Sequence, residues 1–118
     1  MATFLLLNGP NLNLLGSREP ELYGKVSLEE IVNDLSNIAK KVNHKLVSFQ
    51  SNAEHELVNR IHEASEEQVK CIVFNPGAFT HSSIALRDAL SGTATPFIEV
   101  HISNIYSRED FRQKSFLS

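Results

Sequence analysis

The stretch Phe4-Leu5-Leu6-Leu7-Asn8-Gly9-Pro10 opens the chain with an unbroken apolar run, stopped by three turn-forming residues. A strand with one wet face would alternate apolar and polar residues, so a run apolar at every position predicts a strand covered on both faces. The pattern returns at Leu46-Val47-Ser48-Phe49, at Cys71-Ile72-Val73-Phe74 and at Phe97-Ile98-Glu99-Val100. Between these runs the apolar spacing changes to three and four residues. Ser27 and Glu30 have the spacing of a capping box, and Leu28, Ile31, Val32, Leu35, Ile38, Ala39 and Val42 behind them share one helix face. Leu57, Val58, Ile61 and Ala64 mark a second helix. Ser82 to Leu90 predicts a third, with Ile84, Ala85 and Leu90 turned inward, and Ser107 to Arg112 a short one with Asp110 three residues after a Ser cap. Strands alternating with helices imply a parallel sheet, and right-handed crossovers place helices on both its faces. The expected architecture is a single α/β domain over residues 1–118, an open doubly wound sheet of flavodoxin-like order. Such sheets usually have five strands, so a fifth strand is expected beyond the fourth.

Composition narrows the function classes. The 118 residues are 42% hydrophobic and 21% charged, ordinary for a chain that buries a core. Eleven basic against fourteen acidic residues give a net charge of −3. With no Lys/Arg run, a nucleic-acid partner is not expected, because phosphate binding needs a concentrated basic face. The densest basic stretch, Lys40-Lys41 to Lys45, fits a solvated helix end. No apolar run approaches the ~20 residues of a membrane span. The opening MATFLLLNGPN has neither a basic leader nor a small-residue cleavage site, and one cysteine permits no internal disulfide. A cytoplasmic protein is the expectation.

In an open parallel sheet, ligands bind beyond the carboxyl ends of the strands. The predicted strands end at Asn8-Gly9-Pro10-Asn11, Gln50-Ser51-Asn52, Asn75-Pro76-Gly77 and His101, so one edge collects polar groups. Turns alone favour Asn, Gly, Pro and Ser, but histidine is not a turn residue. The segment from Asn8 to Gly24 is long for a βα connection, where about 2–6 residues are usual. It carries Arg18, Glu19 and Tyr23 between glycines, which suits a lid over that edge. No G-x-G-x-x-G or G-x-x-x-x-G-K-[ST] motif is present, and neither is H-E-x-x-H. His55 and His62 read as surface histidines and Cys71 as a buried inert thiol, so neither a cofactor nor a metal is expected.

Three blocks carry a resemblance. NGPNLNLLGSREPELYG at 8–24, NPGAFTHSSIALRDAL at 75–90 and PFIEVHISNIYSREDFRQKSFLS at 96–118 are similar, in order and spacing, to the signatures of type II 3-dehydroquinate dehydratases. They cover about half the chain. Ile105-Tyr106 stands where that family often has Val-His. Its members continue beyond the position of Ser118 with a fifth strand and a closing helix.

The resemblance implies dehydration of 3-dehydroquinate to 3-dehydroshikimate, in shikimate biosynthesis or quinate breakdown, by proton removal beside the ketone, an enolate, and expulsion of hydroxyl. It implies no cofactor and no Schiff-base lysine. Tyr23 matches the general base. A free tyrosine with pKa near 10 is only ~0.1% ionised at pH 7, and making tyrosinate a major species means lowering that pKa by about 3, or ~4 kcal/mol. Arg18, always protonated, matches the cation that would do so. His101 matches the general acid, with Glu99 two residues earlier on the same face to orient the ring or keep it protonated. Asn11 matches a stabiliser of the enolate acting through water. Asn75 and the main-chain amides of Ile102 and Ser103 match a carboxylate cradle, and His81 and Arg112 match grips on the ring hydroxyls. Asp88 matches a residue reaching a neighbouring subunit's site, so the implied assembly is trimers joined into a dodecamer.

Two other readings exist at this level. A flavodoxin-like module binding flavin or nucleotide would need a Ser/Thr/Gly-rich loop after the first strand, where this chain has Pro10, Leu12, Leu14 and Leu15. A catalytically dead relative serving in assembly would be expected to lack some of the matched residues, yet all are present.

Overall fold

The computed structural model describes residues 1–16 and 26–101, His81 by its backbone alone. Four strands are formed: β1 (Thr3–Asn8), β2 (Lys45–Gln50), β3 (Cys71–Asn75) and β4 (Phe97–Glu99). They lie in the order β2-β1-β3-β4, and every pairing is parallel. Three α-helices connect them: α1 (Leu28–Lys41), α2 (Glu54–Glu66) and α3 (Ile84–Thr93). The first crossover steps from β1 toward β2, and the others step the opposite way. With right-handed connections, α1 therefore covers one face and α2 with α3 the other. This is the flavodoxin-like topology expected from the alternation.

The helices form where the sequence marks them. Ser27 caps α1, its Oγ accepting from the Glu30 amide at 3.2 Å, with acidic residues in the first turn and Lys40 and Lys41 in the last. Ser83 does the same for α3, accepting from the Leu86 amide at 3.0 Å. That cap moves the start of the third helix from Ser82 to Ile84. It also corrects the inward face: Leu86, Ala89 and Leu90 are buried, whereas Ile84 and Ala85 are exposed. The spacing from 86 is i, i+3, i+4, the stripe a surface helix buries.

The main core lies on the α2–α3 side. Leu5 and Leu7 of β1 and Ile72 and Phe74 of β3 alternate to that side and meet Leu57, Ile61 and Ala64 of α2 and the buried stripe of α3. Each fully buried Leu, Ile or Phe contributes about 1.5–3 kcal/mol. The other side is thinner. Leu6 is buried there, but no residue of α1 is, and Ile38 and Val42 are exposed.

Two sequence expectations need correction. Coverage of every strand on both faces fails at β4, where Phe97, Ile98 and Val100 are exposed. Among the described residues β4 pairs only with β3 and is an edge; an apolar run shows what a strand prefers, not which neighbours cover it. Cys71, the first residue of β3, is half-buried rather than buried. The helix expected at Ser107 to Arg112 lies outside the described residues.

Candidate active site

Register brings the strand ends level. Asn8 lies opposite both Gln50 and Asn75, and Phe74 opposite Glu99, so all four strands finish along one edge. Two glycine-containing turns then interlock across it. The Gly9 amide donates to the Asn75 carbonyl at 2.8 Å. A Cβ on Gly9 would sit 2.4 Å from the Pro76 carbonyl oxygen, closer than any side chain tolerates. Gly77, at φ +60°, is a left-handed residue whose added Cβ would press on Pro10 at 3.1 Å. The Asn-Gly-Pro and Asn-Pro-Gly motifs are thus one backbone-to-backbone contact, which sets the spacing between the ends of β1 and β3.

Asn11 follows this contact in the left-handed conformation, φ 68° and ψ −3°, which asparagine adopts more readily than most residues. Its amide donates to Asn52 Oδ1 at 3.0 Å. Gln50 Nε2 reaches the same oxygen at 3.1 Å and the Gly9 carbonyl at 3.1 Å. Ser51 accepts from the Ala53 amide at 2.9 Å and hydrogen-bonds to Glu56. The end of β2 therefore clamps the turn after β1. Sequence reading located Gln50, Ser51 and Asn52 on the edge but missed this link, which joins residues 41 apart in the chain.

At β3, Asn75 Oδ1 accepts from the Gly77 amide at 3.3 Å, turning the side chain back over its own loop. The short 3-10 turn Gly77–His81 follows, and His81 ends it. On β4, Glu99 Oε1 is 2.5 Å from His101 Nε2 and accepts from Thr80 Oγ1 at 2.7 Å. The Glu99 and His101 side chains are 10% and 17% exposed, so the pair is shielded yet reachable from the edge. An ionised Glu99 can only accept, an arrangement that puts a proton on His101 Nε2.

The structure thus brings Glu99 to His101, as the two-residue spacing predicts, and sets Asn11 and Asn75 on the same edge. Asp88 is exposed on α3, with no hydrogen bond or ion pair to another described residue. Arg18, Tyr23, Ile102, Ser103 and Arg112 lie outside the described residues. Thr80 was missed: a lone threonine in a loop carries no periodic signal. His55 and His62 are exposed on α2, and no group of three or more potential metal ligands occurs among the described residues. None of the described helices is long and apolar enough to cross a membrane.

A flavodoxin-like sheet thus gathers a shielded Glu–His pair and two asparagines at its carboxyl edge, where open α/β sheets bind their ligands. The model of the class II dehydroquinase family matches residues 2–118. A 3-dehydroquinate dehydratase of Thioalkalivibrio sulfidiphilus is 64% identical over 118 residues, all of this chain and 80% of that protein. One from Proteus mirabilis is 63% identical over 114 residues, 97% of this chain and 77% of that one. The crystal structure of the type II dehydroquinase from Butyrivibrio crossotus superposes with a TM-score of 0.94 at 44% identity, covering 98% of this chain and 81% of that one. That from Propionibacterium acnes gives 0.94 at 38% identity, covering 100% and 81%. The chain belongs to the class II dehydroquinase family, whose members are hydro-lyases.

Proposed function

We propose that the protein dehydrates 3-dehydroquinate to 3-dehydroshikimate, with Tyr23 as general base and His101 as general acid. The observation that supports this most is the Glu99–His101 contact at 2.5 Å on the carboxyl edge. Glu99 accepts at Nε2 and fixes the ring, so His101 presents Nδ1–H to the departing hydroxyl, which leaves as water. Tyr23, ionised with the help of the Arg18 charge, takes the proton beside the ketone, and the electron pair moves to the oxygen as an enolate. The proton gained by tyrosine equals the one lost by histidine, so return of one proton resets the site. Asn11, on its clamped left-handed turn, stabilises the enolate through water. Asn75 spends its Oδ1 on Gly77, which leaves its Nδ2–H₂ as donors toward the substrate carboxylate, a role proposed also for the main-chain amides of Ile102 and Ser103. His81 and Arg112 hold ring hydroxyls. Asp88 is exposed, as a residue reaching a neighbouring subunit's site must be, and the assembly proposed is trimers within a dodecamer. The location proposed is cytoplasmic.

The direct test adds 3-dehydroquinate to purified protein and follows enone absorbance. Turnover is expected, and dialysis against a chelator is expected to leave the rate unchanged. No absorbance change at any protein concentration would rule the reading out.

The role of Arg18 has its own expected result. Arg18→Gln should lower kcat at pH 7 and regain part of it at pH 9 to 10, as the unassisted phenol ionises. Arg18→Lys should restore activity only in part, since an ammonium lacks the planar fork. A pH–rate profile that merely drops without moving, or a rise confined to KM, would assign Arg18 to substrate binding instead.

A further inference from the structure

The hydroxyl of Thr80 stands apart from the matched site residues, yet it touches their centre. Thr80 is completely buried, on the 3-10 turn Gly77–His81, nineteen residues before Glu99. Its Oγ1 donates at 2.7 Å to Glu99 Oε1, the same oxygen that meets His101 Nε2 at 2.5 Å. We infer that Thr80 is a positioning residue for the general acid, fixing the Glu99 carboxylate so that the imidazole presents Nδ1 to the leaving group.

The physical case rests on the oxygen that Thr80 and His101 share. A glutamate has three side-chain torsions, and β4 is a short edge strand whose Phe97 and Ile98 are exposed. Thr80 supplies a donor from a buried, β-branched side chain with a stiff χ1, so the contact fixes the carboxylate against the end of β3. The Thr80 hydroxyl adds a second direction of contact to the oxygen that meets His101. Thr80 also shares its turn with His81 and follows Asn75 by five residues, so one short segment would locate both the substrate grips and the acid.

The inference rests on the proposed dehydration, and its test separates the two. Thr80→Val, which removes the hydroxyl and keeps the shape, is expected to lower kcat roughly tenfold with KM little changed, a part of the ~100-fold or more that a positioned acid supplies. Thr80→Ser should stay near wild type. Thr80→Ser and Thr80→Ala leave the same missing methyl, so their comparison isolates the hydroxyl even where the valine variant folds poorly. In a Glu99→Gln background, removing the hydroxyl should cost little more, because Thr80 acts through Glu99. Crystal structures of wild type and Thr80→Val read the geometry without turnover, and the Glu99–His101 contact should be lost in the variant. Full kcat in Thr80→Val and Thr80→Ala, an additive loss in the Glu99→Gln background, or an undisturbed Glu99–His101 contact would each overturn the inference. Absence of turnover in wild type would instead remove the dehydration reading and leave the crystallographic comparison to decide Thr80.

Discussion

His101→Asn is expected to lower kcat and kcat/KM together by at least about 100-fold, the lower range for a positioned acid, while fold and assembly stay intact. Hydroxide is a poor leaving group, and without a proton donor it must depart as the anion. Asparagine keeps a polar side chain near the Glu99 carboxylate but has no proton to give at neutral pH. Because the proton is delivered only as the bond breaks, the loss belongs to the transition state and KM should change little. Tyr23→Phe should lose at least as much, since it removes the base of the first proton transfer. The two losses together should fall short of their product, because both groups serve one proton cycle. Initial-rate kinetics on the single and double variants check this. More than a tenth of wild-type kcat in His101→Asn would remove His101 as the acid and turn attention to another donor on the edge.

Phe74→Ala should have the largest effect on stability, about 3–5 kcal/mol, the range for deleting a buried aromatic. Phe74 is fully buried, on the sheet's main core side, between α2 and α3. It also lies next to Asn75 and opposite Glu99, so the cavity would open beneath the residues that place the acid. Native domains are stable by only about 5–15 kcal/mol, so this change alone takes a large fraction. Urea unfolding should show the midpoint falling with an unchanged m-value, and activity should disappear on warming well before wild type loses it. Ile84→Ala is the matched control. Ile84 is 53% exposed, and its loss should stay within ~0.5 kcal/mol. Comparable losses at the two positions would mean that the core is not centred on Phe74.

Substitutions at Thr80 and at Arg18 address the same reaction from different sides. Thr80 tests how the acid is held, and Arg18 how the base is made. A protein that failed the first and passed the second would keep the dehydration chemistry and lose only the proposed tether of Glu99.

Residues 4–10, with the three later largely apolar runs and the helical spacings between them, pointed to the parallel sheet, because strands alternating with helices pair in parallel through crossovers. The caps at Ser27 and the stripe at Leu57, Ile61 and Ala64 were equally legible, since both depend on contacts within one or two turns. The pairing of Glu99 with His101 was legible too, as residues two apart on a strand share a face. The inward stripe of α3 was not. Ile84 and Leu86 are equally apolar, and only the position of the Ser83 cap and of the facing helix α2 decided which was buried. Exposure of β4 follows its place at the edge of the sheet among the described residues, which its own sequence does not set. The clamp of Asn52 on Asn11 and the contact of Thr80 with Glu99 join residues 41 and 19 apart. No local periodicity encodes such contacts, because they exist only once the parallel register has brought the strand ends level. Sequence therefore determined which elements form and which chemical groups stand at their ends, through propensities and spacings that act over a few residues. Tertiary structure decided which of those groups touch, because hydrogen bonds across strands depend on distances that only the assembled sheet sets.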